Sequence, residues 1–387
     1  MVVDALVWIG CRCSGTFLLN TEQCVDERLD MGMGMGLSRQ HGRAWAMRLA
    51  EDSSGEGPPR YAFDLLTPGR GLDAGVRVRH AVFTRRGGVG APPFDSLNVS
   101  ASVGDEPAAV DRNRDLALAA LGRPRAGLVM AGLVHGTTVA RVTTESLRRG
   151  KGQPLPNPLP VHDKRGDPDR YDAALHGEPD RPGHPARPLP WLVRATPPIA
   201  TEASGPHALP MRPSGDDEPR TLDRGHVVLD VDALVTDDPD VTLLITAADC
   251  AQVFVVDPRR PAVGLAHAGW RGTAAGVLTA TVEAMGRHFG SDPAELRAAV
   301  GPCLGPCCAQ FSDPHRELPA WCAPFIHGDH VDLWAMNRQQ LLEAGLRPEH
   351  VAVAEVCTVC NRDLYFSHRG DRGRTGRFAA VIALVQG

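Results

Sequence analysis

Two stretches decide the reading of this chain. One is Val241-Thr242-Leu243-Leu244-Ile245-Thr246-Ala247-Ala248-Asp249-Cys250; the other is Ala262-Val263-Gly264-Leu265-Ala266-His267-Ala268-Gly269-Trp270-Arg271-Gly272. Each is an apolar, β-branched run that stops at a polar residue and a turn, as a buried strand does. Working outward, residues 251–256, 227–231, 128–134 and 79–84 read as further strands. Asp105 is expected to cap a helix over 107–121, and 273–289 carries helical spacing. A strand over 296–300, a helix that Asp332 caps and that runs to Gly345, and strands over 351–354 and 378–385 complete the pattern. Strands and helices alternating in this way predict an α/β fold with a substantial sheet under helices.

The ends of the chain and its middle read differently. Residues 1–75 lack periodicity and contain Met31-Gly32-Met33-Gly34-Met35-Gly36, so an N-terminal extension without order, or translated sequence ahead of the true start, is expected there. A catalytic domain is then predicted over 76–387, interrupted at about 146–224. The heart of that interruption, 151–220, holds 16 of the 33 prolines and almost no apolar run, so burial cannot repay its ordering entropy.

Composition excludes several classes. The hydrophobic fraction of 43% suits a globular core, and the net charge of −5 is mild and not segregated, which argues against nucleic acid and membrane as partners. No apolar run reaches the roughly 20 residues of a membrane span, and the apolar start lacks a basic flank, so no secretory leader is predicted. Ten cysteines in 387 residues are too sparse for a disulfide scaffold and point to a reducing cytoplasm. Only Lys151 and Lys164 are lysines, so an anion site must use arginine, whose planar fork suits phosphate.

Three residues share a placement that invites chemistry. His135 in Leu133-Val134-His135-Gly136, Cys250 and His267 each stand where an apolar run gives way to a loop, rigidly held yet open. Two imidazoles and a thiolate suit zinc, and three protein ligands leave the fourth tetrahedral position vacant, as catalytic sites do. Taken alone, a histidine at a strand end is as readily a hydrogen-bonded structural residue, and a cysteine a small buried hydrophobe. Cys357-Thr358-Val359-Cys360 has zinc-ribbon spacing, and Cys303, Cys307 and Cys308 could add donors. With no second Cys-x-x-Cys in the chain, packing is the expected role of these five.

The blocks His267-Ala268-Gly269-Trp270-Arg271-Gly272 and Ala248-Asp249-Cys250 resemble the YfiH-like family, variously called multicopper polyphenol oxidase, laccase-domain protein, purine nucleoside phosphorylase and peptidoglycan editing factor. Phe83-Thr84-Arg85-Arg86-Gly87-Gly88-Val89, Ser96-Leu97-Asn98, Asn113-Arg114, Asp232-Ala233-Leu234-Val235-Thr236, the Gly301 to Cys308 block, Cys357-Thr358 and Phe366-Ser367-His368-Arg369 agree with it. The resemblance implies a layered α/β/β/α sandwich with mixed sheets in a single catalytic domain. It also implies a zinc site at His135, Cys250 and His267. Arg85, Asn98, Arg271 and Arg369 are expected to meet substrate or phosphate, and Asp249 to hold a ligand histidine from behind and fix its tautomer. Leu133 stands where the family has glutamine, Ala309-Gln310-Phe311 where it has Tyr-Glu-Val, and Gly370 where it has a second arginine.

The implied activity is zinc-dependent phosphorolysis of adenosine, inosine and S-methyl-5'-thioadenosine, with some adenosine deamination; the partners are then a nucleoside and phosphate. A cysteine hydrolase acting on a peptidoglycan precursor, with Cys250 as nucleophile and His267 as base, is the alternative. A copper-dependent polyphenol oxidase ranks below both, because the chain has no His-x-His pair; copper in the same donors would be adventitious. A binding module without catalysis is the remaining class.

Overall fold

The computed structural model describes residues 47–49, 57–73, 77–148, 153–154 and 225–385. They belong to one compact unit made of Met1–His162 and Thr221–Gly387; a second unit, Asp163–Arg220, lies outside the described residues. The strands are β1 (Met47–Leu49), β2 (Arg60–Phe63), β3 (Val78–Phe83), β4 (Leu128–Gly132), β5 (Val139–Arg141), β6 (Gln153–Pro154), β7 (His226–Leu229) and β8 (Ala233–Thr236). They continue with β9 (Thr242–Ala247), β10 (Ala251–Asp257), β11 (Ala262–Ala268), β12 (Arg297–Val300), β13 (Ile326–His327), β14 (His330–Val331), β15 (Val351–Val353) and β16 (Phe378–Leu384). The helices are α1 (Pro107–Ala120), α2 (Thr144–Arg148), α3 (Trp270–Ala275), α4 (Val277–Phe289), α5 (Pro314–Glu317) and α6 (Leu333–Glu343).

Two mixed sheets form the centre. One has the order β1-β2-β3-β16-β9-β4-β7-β6, the other β15-β12-β10-β11-β8-β5. Side-chain alternation along the strands builds the layers. Leu243 and Ile245 of β9, with Val82 and Ile382, meet Phe254, Val256, Val263 and Leu265 of the second sheet in one cluster between the sheets. The intervening Leu244, with Ala81, Phe83 and Val381, faces Ala117 and Leu118 of α1. On the far side Val253 and Val255 pack on Leu278, Val282 and Met285 of α4 and Leu341 of α6. The result is the expected α/β/β/α sandwich, because each strand is apolar on both faces and both must be covered.

Several expected details differ. The domain does not begin at residue 76: β2 pairs with β3 (Arg60↔Phe83, Tyr61↔Val82), β1 pairs with β2, and Phe63, Leu65 and Leu66 are fully buried between the sheets. Those apolar runs are two or three residues long, too short to display a period, and their burial comes from long-range pairing. Residues 1–46, with the Met-Gly tract, lie outside the described residues, as does the expected insertion apart from 146–148 and the Gln153–Pro154 backbone, which pairs with β7. Asp105 does not cap α1. Its carboxylate accepts from the Glu106 and Asn98 nitrogens, and Glu106 precedes the helix. The helix expected over 273–289 is two, α3 and α4, parted by Gly276 at φ 98°, a left-handed stop that glycine adopts without strain. Asp332 does cap α6, accepting from the Ala335 amide.

Candidate metal centre

The topology gathers the three singled-out side chains from opposite sides of the sandwich. Antiparallel β10 and β11 are neighbours, so Cys250, directly before β10, stands at the same sheet end as His267 and Ala268 of β11. His267 lies inside its strand (Gln252↔His267) and is only 2% exposed, so the strand runs on through the residue that was expected to follow it. His135 follows β4 by three residues at φ 60°, a region that non-glycine residues seldom occupy. That turn is held because the amides of His135 and Gly136 donate to the two carboxylate oxygens of Asp232, at 2.9 and 2.6 Å.

The donor atoms of His135, Cys250 and His267 all lie within 4.8 Å of one another. Cys250 Sγ is 4.0 Å from His135 Nε2, and the two imidazoles meet edge to face at 4.9 Å between ring centroids. A Cβ on Gly269 would stand 3.0 Å from both Cys250 Sγ and His135 Cδ2, so the glycine leaves the room that the cluster occupies. His267 Nδ1 is 3.0 Å from Asp232 Oδ1, which leaves Nε2 to face the other two donors. Asp232 is fully buried yet acidic: burial would raise its pKa, but its bonds from His267, Gly136 and His135 outweigh that and lower it.

Cys250 and His267 shift each other. Burial alone would raise the thiol, but the His267 charge and hydrogen bonds with both histidines bring it down to about 6. Burial would lower His267, but the Cys250 charge and the Asp232 bond push it up to about 9. In the absence of a cation these two form a thiolate–imidazolium pair. With a soft divalent ion, two imidazole nitrogens and a thiolate are a fitting donor set, and three protein donors leave a coordination position vacant.

The expected surroundings are only partly right. The carboxylate behind a histidine is Asp232, not Asp249. Asp249 accepts from Thr358 Oγ1 at 2.6 Å and from the Arg369 amide at 2.6 Å. Asp232 was expected to have no role at the site: it stands between two apolar runs, and its sequence neighbours carry no sign of what it would face. Asn98 is fully buried and its amide is spent, with Nδ2 on Ser100 O and Asp105 and Oδ1 accepting from the amides of Ser100 and Arg377. Two donors and two lone pairs are then all satisfied, so nothing remains for a substrate.

Arg85 is anchored on the Asp95 carbonyl and carboxylate and on the Arg362 carbonyl, with its guanidinium over Phe366. It lines a pocket of about 370 Å³ with Arg362, Arg372 and Arg374, which contains none of the three convergent residues. Arg369 Nη1 is held by the carbonyls of Cys308 and Gln310. Arg271, four residues past His267, is exposed and stacks on Trp270 at 4.1 Å. Of the four predicted substrate residues, only Arg271 has no hydrogen bond or ion pair among the described residues, which leaves its guanidinium available to an anion.

A second group was not expected to assemble. Cys303 remains a buried packing residue, but the thiols of Cys307, Cys308, Cys357 and Cys360 all lie within 4.8 Å of one another. Burial and the charge of neighbouring thiols push Cys308 up to about 12.

Comparison with known proteins agrees with this architecture. The chain matches the family described as multi-copper polyphenol oxidoreductase laccase over residues 79–178 and 210–385. It is 41% identical over 163 residues to a purine nucleoside phosphorylase of Geobacillus stearothermophilus, a match covering 39% of this chain and 59% of that relative. A Streptomyces coelicolor purine nucleoside phosphorylase is 30% identical over 316 residues, covering 80% of this chain and 97% of the relative. The crystal structure of YlmD from Geobacillus stearothermophilus superposes with a TM-score of 0.59 at 26% identity, over 87% of this chain and 99% of that one.

Proposed function

Because the chain belongs to the multi-copper polyphenol oxidoreductase laccase family, we propose that it is a zinc-dependent purine nucleoside phosphorylase. Adenosine, inosine and S-methyl-5'-thioadenosine are its substrates, with adenosine deamination as a lesser activity; the names of its relatives favour the phosphorylase part of this reading. The observation that carries it is the convergence of His135, Cys250 and His267 within 4.8 Å, with His267 and its carboxylate already aligned. Zinc bound by these three would supply a Lewis acid with a vacant position.

The protein's own groups do the rest. Asp232 keeps the His267 proton on Nδ1 and fixes the ring, and its grip on the His135 and Gly136 amides sets the second imidazole. Arg271 offers a fork beside the centre to phosphate, whose oxygen attacks the anomeric carbon. The glycosidic C–N bond breaks, its electron pair leaves with the base, and the base takes a proton. Purified protein with phosphate is expected to convert inosine to hypoxanthine and ribose 1-phosphate, and Cys250→Ala to bring turnover below detection. Unchanged turnover in Cys250→Ala rejects the assignment.

One observation favours a second reading. A thiol brought down to about 6 beside an imidazole pushed up to about 9 is the resting state of a cysteine nucleophile with its base. A hydrolase acting on a peptidoglycan precursor would remain active without zinc and be trapped at Cys250 by iodoacetamide. The phosphorylase would lose activity on chelation and regain it with zinc. Copper in the same donors would instead oxidise phenols with dioxygen as the electron acceptor, and reloading with each metal separates the two.

A further inference from the structure

We propose that Cys307, Cys308, Cys357 and Cys360 form a second, structural zinc site, a closed tetrathiolate distinct from the His135–Cys250–His267 centre. The distances carry it. Cys360 Sγ is 3.6 Å from both Cys307 Sγ and Cys308 Sγ, and all four sulfurs lie within 4.8 Å of one another. Four sulfurs about 2.3 Å from a tetrahedral zinc stand about 3.8 Å apart, so the two 3.6 Å separations match edges of such a tetrahedron and the others, within 4.8 Å, lie close to it. A disulfide needs sulfurs about 2 Å apart, and none of the four cysteines is in one.

The backbone holds the donors ready. Cys308 N donates to Gly305 O, the Asn361 amide and side chain both donate to Cys357 O, and Thr358 N donates to Cys303 O. Cys357 is buried and the other three are half-buried, so the sulfurs face one another at the edge of the protein, within reach of an entering ion. Four thiolates around a divalent ion leave a net charge of two minus. Arg369, whose Nη1 is held by the Cys308 carbonyl, brings compensating charge to the same turn.

The location gives the site a task. It joins the turn after β12 to the turn after β15, and both grip Asp249: Leu304 N donates to its carbonyl and Thr358 Oγ1 to its carboxylate. Asp249 immediately precedes Cys250. A zinc ion there clamps the two turns that brace the loop of the mixed centre, with no open position for substrate.

Elemental analysis of the full-length protein, purified under reducing conditions with zinc supplied, tests this without reference to turnover. Two zinc ions per chain are expected, falling to one in a Cys357→Ser/Cys360→Ser protein and also to one in a His135→Ala/His267→Ala protein. One ion per chain, lost entirely with the two histidines, overturns the proposal. Should the cysteine variant fail to fold, alkylation mapping of the wild-type chain decides. The four thiols are expected to be protected together and to become reactive together when a chelator is added. Equal labelling before and after chelation, or a disulfide among the four, overturns it.

Discussion

Cys250 and Cys308 each stand in a cluster whose donor atoms lie within 4.8 Å of one another, and their acidities run in opposite directions. Burial pushes both thiols up. At Cys250 two imidazoles outweigh burial and the thiol falls to about 6; at Cys308 the neighbours Cys357 and Cys360 add negative charge, and it rises to about 12. The mixed cluster is charge-balanced within the protein and has three donors. The four-thiol cluster has only like groups, so its thiols ionise together only when a cation from outside balances them. The difference fits the two proposed roles, chemistry at an open position in one region and holding turns together in the other.

The largest expected effect that tests this contrast falls on Asp232, which serves only the mixed cluster. In Asp232→Asn an amide N–H must face one of the His135 and Gly136 amides that now donate to the carboxylate. Zinc affinity at the mixed centre is expected to fall about 10–100-fold, read by competition with a chromophoric chelator, while the four-thiol occupancy stays whole. Equal weakening of both sites would break the comparison.

A second expectation concerns acidity in metal-stripped protein. At pH 7 a thiol with a pKa of about 6 is mostly thiolate, whereas one at about 12 is almost wholly protonated, so iodoacetamide should label Cys250 at least about tenfold faster than Cys308. The sign follows from the proton: labelling of Cys250 falls as pH drops through about 6, and that of Cys308 climbs only in strong alkali. Peptide mapping of rates against pH measures both, and matching profiles would remove the distinction.

The smallest effect lies at Asp249, which touches both regions. Asp249→Asn keeps one acceptor for Thr358 or Arg369 and loses the other, with the residue's φ of 82° tolerated by asparagine. A loss of about 1–2 kcal/mol in urea unfolding is expected. Wild-type stability would mean that this carboxylate does not brace the two turns.

The sequence made much of this legible where signals are local. Strands β9, β10 and β11 are long enough to display their apolar character, and Asp332 caps a helix by chemistry confined to three residues. Strand β2 was hidden because Tyr61-Ala62-Phe63 is short, and its partner β3 lies across residues 64–77. Asn98 invited a substrate role as an exposed amide would; only burial against Ser100, Asp105 and Arg377 removes it.

The sequence by itself determined the α/β character and singled out His135, Cys250 and His267, since apolar runs, turns and residue chemistry are written along the chain; the layering and the zinc site were implied only by the family resemblance. Tertiary structure alone decided that Asp232, not Asp249, stands behind His267, and that a Cys-x-x-Cys and a Cys-Cys pair nearly fifty residues apart share one point. A contact between distant residues depends on strand order and on the direction each turn gives a side chain, and neither is set until the two sheets close on each other.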